Sequence, residues 1–177
     1  MKKFNKLYVL VGVAGSGKST WIENHKTGFK RPYKVVSRDK IRFSLVKENE
    51  DYFSKEKEVF RKYIEEIKEG LYIGYDVFAD ATHINEASRG KLLRALGKSL
   101  KGVEVEAIVI NTSLNTILNQ NSLRAGRELV PETTIRNMFS QFKVPSLEEG
   151  FDKIWIYQNE NPKKSKYIVY QKENCNE

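Results

Sequence analysis

The sequence of 177 residues contains one cysteine, Cys175, and lacks an apolar run of about 18 residues. A single thiol close to the C-terminus is far from any partner for a disulfide or a metal site. A chain without a long apolar run has no membrane-spanning helix. The start, Met1-Lys2-Lys3 followed by Leu7 to Val13, imitates a secretory signal, but the same apolar residues are needed as a strand. These absences predict a cytoplasmic protein with no membrane partner.

Positive charge is in excess, since 31 Lys and Arg residues against 23 Asp and Glu residues give a formal net charge of +8. Such a charge attracts a polyanion and raises its rate of encounter. A solvated basic surface gives the same count, so charge alone leaves the partner open. The length and the hydrophobic content of 40% are typical of one soluble domain. We therefore expect a single domain over 1–177.

Residues 12–19 read GVAGSGKS and match the phosphate-binding pattern G-x-x-x-x-G-K-S/T. An apolar run at 7–11 precedes this loop and a helical stretch at 20–24 follows it, which is the context of a true P-loop. Glycines are needed because successive backbone N–H groups turn inward around phosphate oxygens. Lys18 is predicted to reach the β- and γ-phosphates of ATP, and Ser19 to ligate Mg²⁺. The predicted nucleotide-binding residues are Gly12, Gly15, Ser16, Gly17, Lys18, Ser19 and Thr20.

Apolar and β-branched runs alternate along the chain with segments of helical periodicity. The expected strands are 7–11, 34–37, 75–80, 103–110 and 154–157, with an added edge strand at 167–170. The expected later helices are 54–71, 85–97, 113–122 and 131–142, with Ser54 and Asn85 as candidate N-caps. This alternation predicts an α/β fold, a doubly wound parallel sheet with helices on both faces. A basic tail at about 160–177 follows the expected core.

Asp39 and Arg42 follow the second expected strand, at the end of the sheet where ligands of such folds bind. A kinase needs a carboxylate that orients the acceptor hydroxyl and takes its proton. If a helical turn begins here, both side chains lie on one face. Asp39 is then predicted to be the general base, and Arg42 to bind a phosphate of the same substrate through its planar fork. An aspartate that only caps a turn or a helix is the alternative.

Asp80 ends the third expected strand, a position where a carboxylate of P-loop proteins faces Mg²⁺. A capping role is the alternative. Thr82 is predicted to bind a substrate phosphate through its hydroxyl or its N–H group. His83 is expected at the surface of the turn and receives no role.

Arg124 and Arg127 lie in a glycine-containing segment between two expected helices, at about 123–131. Such a segment can close over the γ-phosphate and open on product release. Arginines of a basic protein also commonly face water. We expect an arginine-bearing lid, and which of the two arginines meets the γ-phosphate stays open.

These residues together resemble the 5′-polynucleotide kinases of the P-loop phosphotransferase class, particularly the kinase domain of the bacteriophage end-healing enzymes. The matching segments, in the order of that family, are 12–21, 37–42, 79–82 with Asn85, 121–124 leading to 130–131, and 145–151. The resemblance implies an adenylate-kinase-like P-loop NTPase fold, with ATP and Mg²⁺ as cofactors. It also implies a 5′-hydroxyl end of RNA or DNA as the acceptor.

The resemblance implies a role for each matched residue. Asp39 is the general base on the 5′-hydroxyl, Arg42 grips the phosphate 3′ of the acceptor nucleoside, and Arg124 is the lid arginine over the ATP phosphates. The expected catalytic residues are Lys18, Asp39, Arg42, Arg124 and Arg127, the metal ligands are Ser19 and Asp80, and the substrate-binding residues are Arg38, Asp39, Arg42 and Thr82.

The phosphatase half of the phage enzymes carries a D-x-D-x-T signature that this sequence lacks, so we expect no 3′-phosphatase activity in this chain. A separate ligase or phosphatase is a candidate partner. Two other functions stay open: a small-molecule kinase of the same fold, and a nucleotide-dependent RNA-binding module without transferase chemistry. The basic charge and Arg42 favour the polynucleotide kinase, because an uncharged acceptor gives neither of them anything to bind.

Overall fold

The computed structural model describes residues 5–159 and 166–172 of the chain. The first four residues, much of the expected basic tail and Cys175 lie outside these ranges. The strands are β1 (Asn5–Val11), β2 (Tyr33–Ser37), β3 (Asp76–Asp80), β4 (Val103–Asn111), β5 (Lys153–Gln158) and β6 (Lys166–Gln171). The α-helices are α1 (Lys18–His25), α2 (Arg38–Leu45), α3 (Glu56–Tyr72), α4 (Glu86–Leu96), α5 (Leu114–Ser122) and α6 (Glu132–Gln141).

One six-stranded sheet organises the fold, with the strand order β2-β3-β1-β4-β5-β6. The first five strands of this order are parallel, and β6 pairs with β5 in the antiparallel sense. The predicted α/β P-loop fold with a parallel sheet is therefore confirmed, and so is the added edge strand. Because β3 lies between β1 and β2, the carboxyl end of β3 is placed between the ends of the two strands that precede the P-loop and α2.

Both faces of the sheet are covered, which explains the wholly apolar character of its central strands. Leu7, Val9 and Val11 of β1 pack on the side of α2, α3 and α4. Tyr8 and Leu10 pack on the opposite side, against residues of α1. A third apolar cluster lies under α5 and α6, next to the P-loop.

Side-chain capping accounts for the start of α4 but not for that of α3. Asn85 caps α4 with a reciprocal pair of hydrogen bonds to Ser88, as expected for an N-cap. Ser54 was expected to cap α3, and this prediction is wrong, because the N–H of Ser54 donates to Asp51 in a preceding turn and the helix begins two residues later. The N-cap of α3 is Lys55.

Within residues 5–159 and 166–172, no helix is long and apolar enough to cross a membrane.

A buried ion pair ties α4 to the segment before β5. Arg89 is 1% exposed, and its Nε and Nη2 atoms donate to the two carboxylate oxygens of Glu149 at 2.6 and 2.8 Å. Its Nη1 atom donates to the carbonyls of His83 and Lys143 at 3.0 and 2.9 Å. Four hydrogen bonds to one guanidinium satisfy the buried charge, and they fix the turn that follows β3.

Removal of Arg89 should destabilise the fold strongly. Arg89→Ala leaves the carboxylate of Glu149, whose side chain is only 10% exposed, without its partner, so we expect the free energy of unfolding to fall by about 3–5 kcal/mol. The matched control is Arg136→Ala, because Arg136 forms an exposed pair with Glu132 on α6 and such pairs contribute about 0.5 kcal/mol. Urea unfolding followed by circular dichroism measures both values. Equal losses for the two variants would contradict the structural role of the buried pair.

Candidate functional site

The loop between β1 and α1 forms a cradle that only glycine permits. Gly15 and Gly17 have φ angles of 85° and 99°, in the left-handed region. A Cβ atom on Gly12 would lie 2.5 Å from Oγ of Ser16. That hydroxyl is buried and has no hydrogen-bond partner among the described residues. A cradle that a Cβ would fill, with an unused hydroxyl inside, fits a phosphate group.

Lys18 is the first residue of α1, and its ammonium group lies inside the cradle. Its Nζ atom donates to the carbonyls of Gly12 and Val13 at 2.9 and 3.0 Å. Burial lowers the pKa of Lys18, while the carboxylates of Asp80 and Asp39 act in the opposite direction. An anionic phosphate beside this group would stabilise its charged form. Lys18 can therefore hold the phosphates of a nucleotide.

The cradle is fastened to the carboxyl ends of three strands. The N–H of Gly12 donates to the carbonyl of Thr82, after β3, at 2.9 Å. The carbonyl of Ser16 accepts from Oγ1 of Thr112, after β4, at 2.9 Å, and from Nδ2 of Asn159, after β5, at 2.8 Å. Thr112 and Asn159 were not predicted from the sequence, and their position directly after a strand is the only signal that pointed to them.

Asp80 ends β3 opposite Ser37 of β2. Burial raises the pKa of Asp80, and the charge of Lys18 opposes this rise. Ser19 and Thr20 lie in the first turn of α1 and are exposed. The described residues contain no cluster of three or more His, Cys, Asp or Glu side chains that could hold a metal. One hydroxyl and one carboxylate suit Mg²⁺, which keeps several waters and takes further ligands from phosphates.

Asp39 lies in the first turn of α2 with its side chain 63% exposed. Its Oδ1 atom accepts from Nη1 of Arg42 at 2.6 Å and from the hydroxyl of Tyr52 at 3.1 Å. Among the described residues, no side-chain donor reaches Oδ2, which is left to accept a proton. The helical turn therefore places Asp39 and Arg42 on one face, and the structure adds Tyr52 to the pair.

Arg42 is buried, and its guanidinium group is shared between two carboxylates. In addition to the contact with Asp39, Nη2 and Nε donate to Oε2 of Glu56 at 2.8 and 3.3 Å. Arg38 pairs with the other oxygen of Glu56. Burial raises the pKa of Glu56, but the hydrogen bond with Arg42 and the charge of Arg38 outweigh it and hold the pKa below its usual value. Glu56 was not predicted and neutralises much of the positive charge here.

A cavity of about 540 Å³ lies between the P-loop, α2 and the lid segment. Ala14 and Thr82 line it on the side of the P-loop, and Asp39 lines it on the side of α2. The cavity brings together five predicted site residues, which are Arg38, Asp39, Arg42, Thr82 and Arg127. Tyr52 and Phe53 also line it, and the side chain of Phe53 is largely exposed. Tyr52 and Phe53 were not predicted as site residues, although two adjacent aromatic residues between two helices are a pattern that the sequence shows.

The two lid arginines point to different parts of the site. Arg124 is exposed, and its charge contributes to lowering the pKa of Lys18. Arg127 is half-buried in a short 3-10 turn, and its Nη2 atom donates to the carbonyl of Val46 at 2.8 Å. The guanidinium carbon of Arg127 lies 4.7 Å from the centre of the Phe43 ring. Arg124 is therefore close enough to Lys18 for its charge to act on that residue, and Arg127 lines the cavity.

The expectation that His83 lies at the surface is wrong. His83 is 4% exposed, and its backbone φ angle is 43°. Nδ1 donates to the carbonyl of Leu10 at 2.7 Å, and Nε2 lies 3.4 Å from the hydroxyl of Tyr63. The turn that contains His83 lies against β1, where the hydrogen bond from the N–H of Gly12 to the carbonyl of Thr82 holds it. Burial lowers the pKa of His83 to about 4, so this residue supports the P-loop from below as a neutral group.

Comparison with known proteins supports a kinase-like P-loop domain. Residues 7–145 match the protein family described as AAA domain. No curated protein matches the sequence.

Solved structures show the same fold at low sequence identity. A chain of the Pnkp1/Rnl/Hen1 RNA repair complex has a TM-score of 0.67 and 19% identity, covering 80% of this chain and 45% of that chain. A sugar kinase from Janibacter sp. HTCC2649 has a TM-score of 0.58 and 13% identity, covering 89% and 87%. A gluconokinase from Sinorhizobium meliloti 1021 has a TM-score of 0.57 and 18% identity, covering 92% and 86%. The chain spans less than half of the RNA repair proteins that it matches.

The buried His83 should make stability depend on pH. Its pKa is about 4 in the folded chain, against an ordinary value of 6.5. Between these values the unfolded chain binds a proton that the folded chain does not, so stability falls as the pH falls from about 6.5 to about 4. His83→Asn removes this titration and keeps a residue that tolerates a positive φ.

Over that interval we expect the free energy of unfolding of the native chain to fall by about 3 kcal/mol more than that of His83→Asn. Urea unfolding at a series of pH values measures the difference. Parallel curves for the two proteins would contradict the assignment of His83 as a buried neutral group.

Proposed function

The chain belongs to the AAA domain family, and we propose that it is an ATP-dependent kinase that phosphorylates the 5′-hydroxyl end of RNA or DNA. The observation that carries this proposal is the position of Asp39. An exposed carboxylate, held by Arg42 and Tyr52, lines a cavity that is also lined by Ala14 of the P-loop. A general base opposite a triphosphate cradle is the arrangement that phosphoryl transfer to an alcohol requires.

Several of the predicted residues have a role in this proposed reaction. Lys18 binds the β- and γ-phosphates. Asp39 takes the proton of the acceptor hydroxyl while the hydroxyl oxygen bonds to the γ-phosphorus, and the bond between that phosphorus and ADP breaks. Arg42 orients Asp39, and Arg124 balances charge on the nucleotide side. Mg²⁺, held by Ser19 and Asp80, would neutralise phosphate charge. The lid over 123–131 closes the site during transfer.

The chemistry of the cavity favours a nucleic acid acceptor. Tyr52 and Phe53 offer aromatic faces on which a base can stack. The net charge of +8 attracts a polyanion. The likeness to chains of an RNA repair complex fits such an acceptor. A nucleic acid with a 5′-hydroxyl end is therefore the proposed acceptor substrate. A separate ligase or phosphatase is a proposed partner enzyme.

A small-molecule kinase is the second candidate, and one observation favours it. Glu48 and Glu50 line the same cavity, and carboxylates accept hydrogen bonds from sugar hydroxyls. The likeness to two sugar-related kinases fits this candidate. Parallel assays with a 5′-hydroxyl oligonucleotide, gluconate and simple sugars separate the two, because only the acceptor of the correct class acquires label from γ-labelled ATP.

Loss of the base should abolish most of the transfer. For Asp39→Asn we expect kcat to fall at least ~100-fold, since the amide cannot take the proton, with the affinity for ATP unchanged. The assay is transfer of label from ATP to a 5′-hydroxyl oligonucleotide in the presence of Mg²⁺. Glu65→Gln, an exposed carboxylate of α3 paired with Arg61, is the matched control and should keep full activity. An active Asp39→Asn protein would rule out Asp39 as the base.

Phe53 should contribute to binding of the acceptor alone. If a base of the acceptor stacks on its ring, Phe53→Ala should raise KM for the oligonucleotide about tenfold and leave KM for ATP unchanged. Tyr72→Ala is the matched control, because Tyr72 is an exposed aromatic residue at the end of α3. Steady-state kinetics with each substrate varied in turn measures both effects. An unchanged KM for the oligonucleotide would favour the small-molecule candidate.

A further inference from the structure

The acceptor cavity contains three arginines, but two of them are already neutralised. Arg38 and Arg42 share the carboxylate of Glu56, and Arg42 also donates to Asp39. A guanidinium group that is buried between two carboxylates has little charge left for a ligand. Binding of a phosphate by Arg42 would also draw it away from Asp39.

Arg127 is the third arginine of the cavity and is differently placed. In the part of the chain that the structure describes, its guanidinium group makes no ion pair, and its one hydrogen bond uses Nη2. Four of the five N–H donors of a guanidinium group remain when one is used. The Phe43 ring and the carbonyl of Val46 fix the plane of the group. Arg127 therefore offers a fixed and uncompensated positive charge at the wall of the cavity.

A 5′-hydroxyl end of a nucleic acid carries its nearest phosphate on the 3′ side of the terminal nucleoside. This phosphate must enter the cavity together with the hydroxyl that meets Asp39. Glu48 and Glu50 also line the cavity. Glu50 is paired with Lys55 at 3.3 Å, so Glu48 is the carboxylate beside which a phosphate would be repelled. Of the three arginines that line the cavity, Arg127 therefore offers the most favourable position for this phosphate.

We propose that Arg127 binds the first phosphate of the acceptor and so selects nucleotide ends over phosphate-free alcohols, while Arg42 positions Asp39. This inference rests on the proposed kinase function. It differs from the roles expected from the sequence, in which Arg42 holds the substrate phosphate. It also gives the two lid arginines different roles, in which Arg124 contacts ATP and Arg127 binds the phosphate of the acceptor.

The test compares two acceptors that differ only in the phosphate, adenosine 3′-monophosphate and adenosine. For the native protein we expect kcat/KM to favour the phosphorylated acceptor on the order of 10-fold to 100-fold, as for a charge-assisted hydrogen bond. For Arg127→Gln, which keeps a donor for Val46 but loses the charge, this preference should disappear. The loss of kcat/KM should fall mainly on adenosine 3′-monophosphate and much less on adenosine, and the KM for ATP should not rise. Arg127→Lys should retain part of the preference.

Two matched variants locate the effect. Arg124→Gln should change KM for ATP and keep the preference between the acceptors. Arg42→Lys should lower kcat for both acceptors by the same factor, because a positioning residue acts through Asp39. Thermal unfolding of all variants shows that each protein is folded.

Other outcomes would overturn the inference. A raised KM for ATP in Arg127→Gln would assign Arg127 to nucleotide binding. Equal losses of kcat/KM for both acceptors would leave Arg127 only a structural role, as a contact between the lid and α2. Loss of the preference in Arg42→Lys alone would return the phosphate to Arg42. If the native protein phosphorylates both acceptors equally well, the kinase function stands and this inference fails. If it phosphorylates neither acceptor nor an oligonucleotide, both fail.

Discussion

The guanidinium group of Arg42 holds together the acceptor side of the site. It is buried near the end of α2, pairs with Glu56 in the first turn of α3, and donates to Asp39 in its own helix. The position of the proposed base therefore depends on a contact between two helices. Because Arg42 and Tyr52 both bind Oδ1 of Asp39, the second oxygen keeps its capacity to accept a proton. Glu56 makes this arrangement stable, since it compensates a buried charge that would otherwise be costly.

The order of the strands explains how the two sides of the site meet. The P-loop follows β1 and Asp39 follows β2, and β3 lies between these two strands in the sheet. Asp80, at the end of β3, is therefore close enough to both sides for Lys18 and Asp39 to influence its pKa. In the proposed reaction Asp80 would be one of the residues that hold Mg²⁺. The fold places Asp80 between the strand that leads to the P-loop and the strand that leads to Asp39.

Features that depend only on neighbouring residues could be predicted from the sequence. The P-loop, the apolar strands, the edge strand and the Asn85 cap follow from spacing and residue type alone, and the structure confirms the elements. Contacts between distant residues could not be predicted in this way. Arg42 and Glu56 are 14 positions apart, and Arg89 and Glu149 are 60 positions apart. No local pattern distinguishes such carboxylates from solvated ones.

The burial of His83 could not be predicted from the sequence either, because it depends on a tertiary contact. A polar residue in a turn is normally exposed, but the hydrogen bond between Gly12 and Thr82 draws this turn beneath β1. Tertiary contacts also changed the interpretation of the lid, because the side chain of Arg127 lies against α2. The family match and the structural neighbours establish the fold, whereas the substrate must be read from the cavity.

The most direct test is a crystal structure of the protein with ADP, Mg²⁺, aluminium fluoride and a 5′-hydroxyl dinucleotide. Aluminium fluoride takes the place of the phosphoryl group in transfer, so the complex shows which side chain meets the attacking oxygen. The account predicts that a carboxylate oxygen of Asp39 lies about 3 Å from the 5′ oxygen, with the fluoride in line between that oxygen and ADP. A dinucleotide bound away from Asp39, or a 5′ oxygen held by another carboxylate, would contradict it.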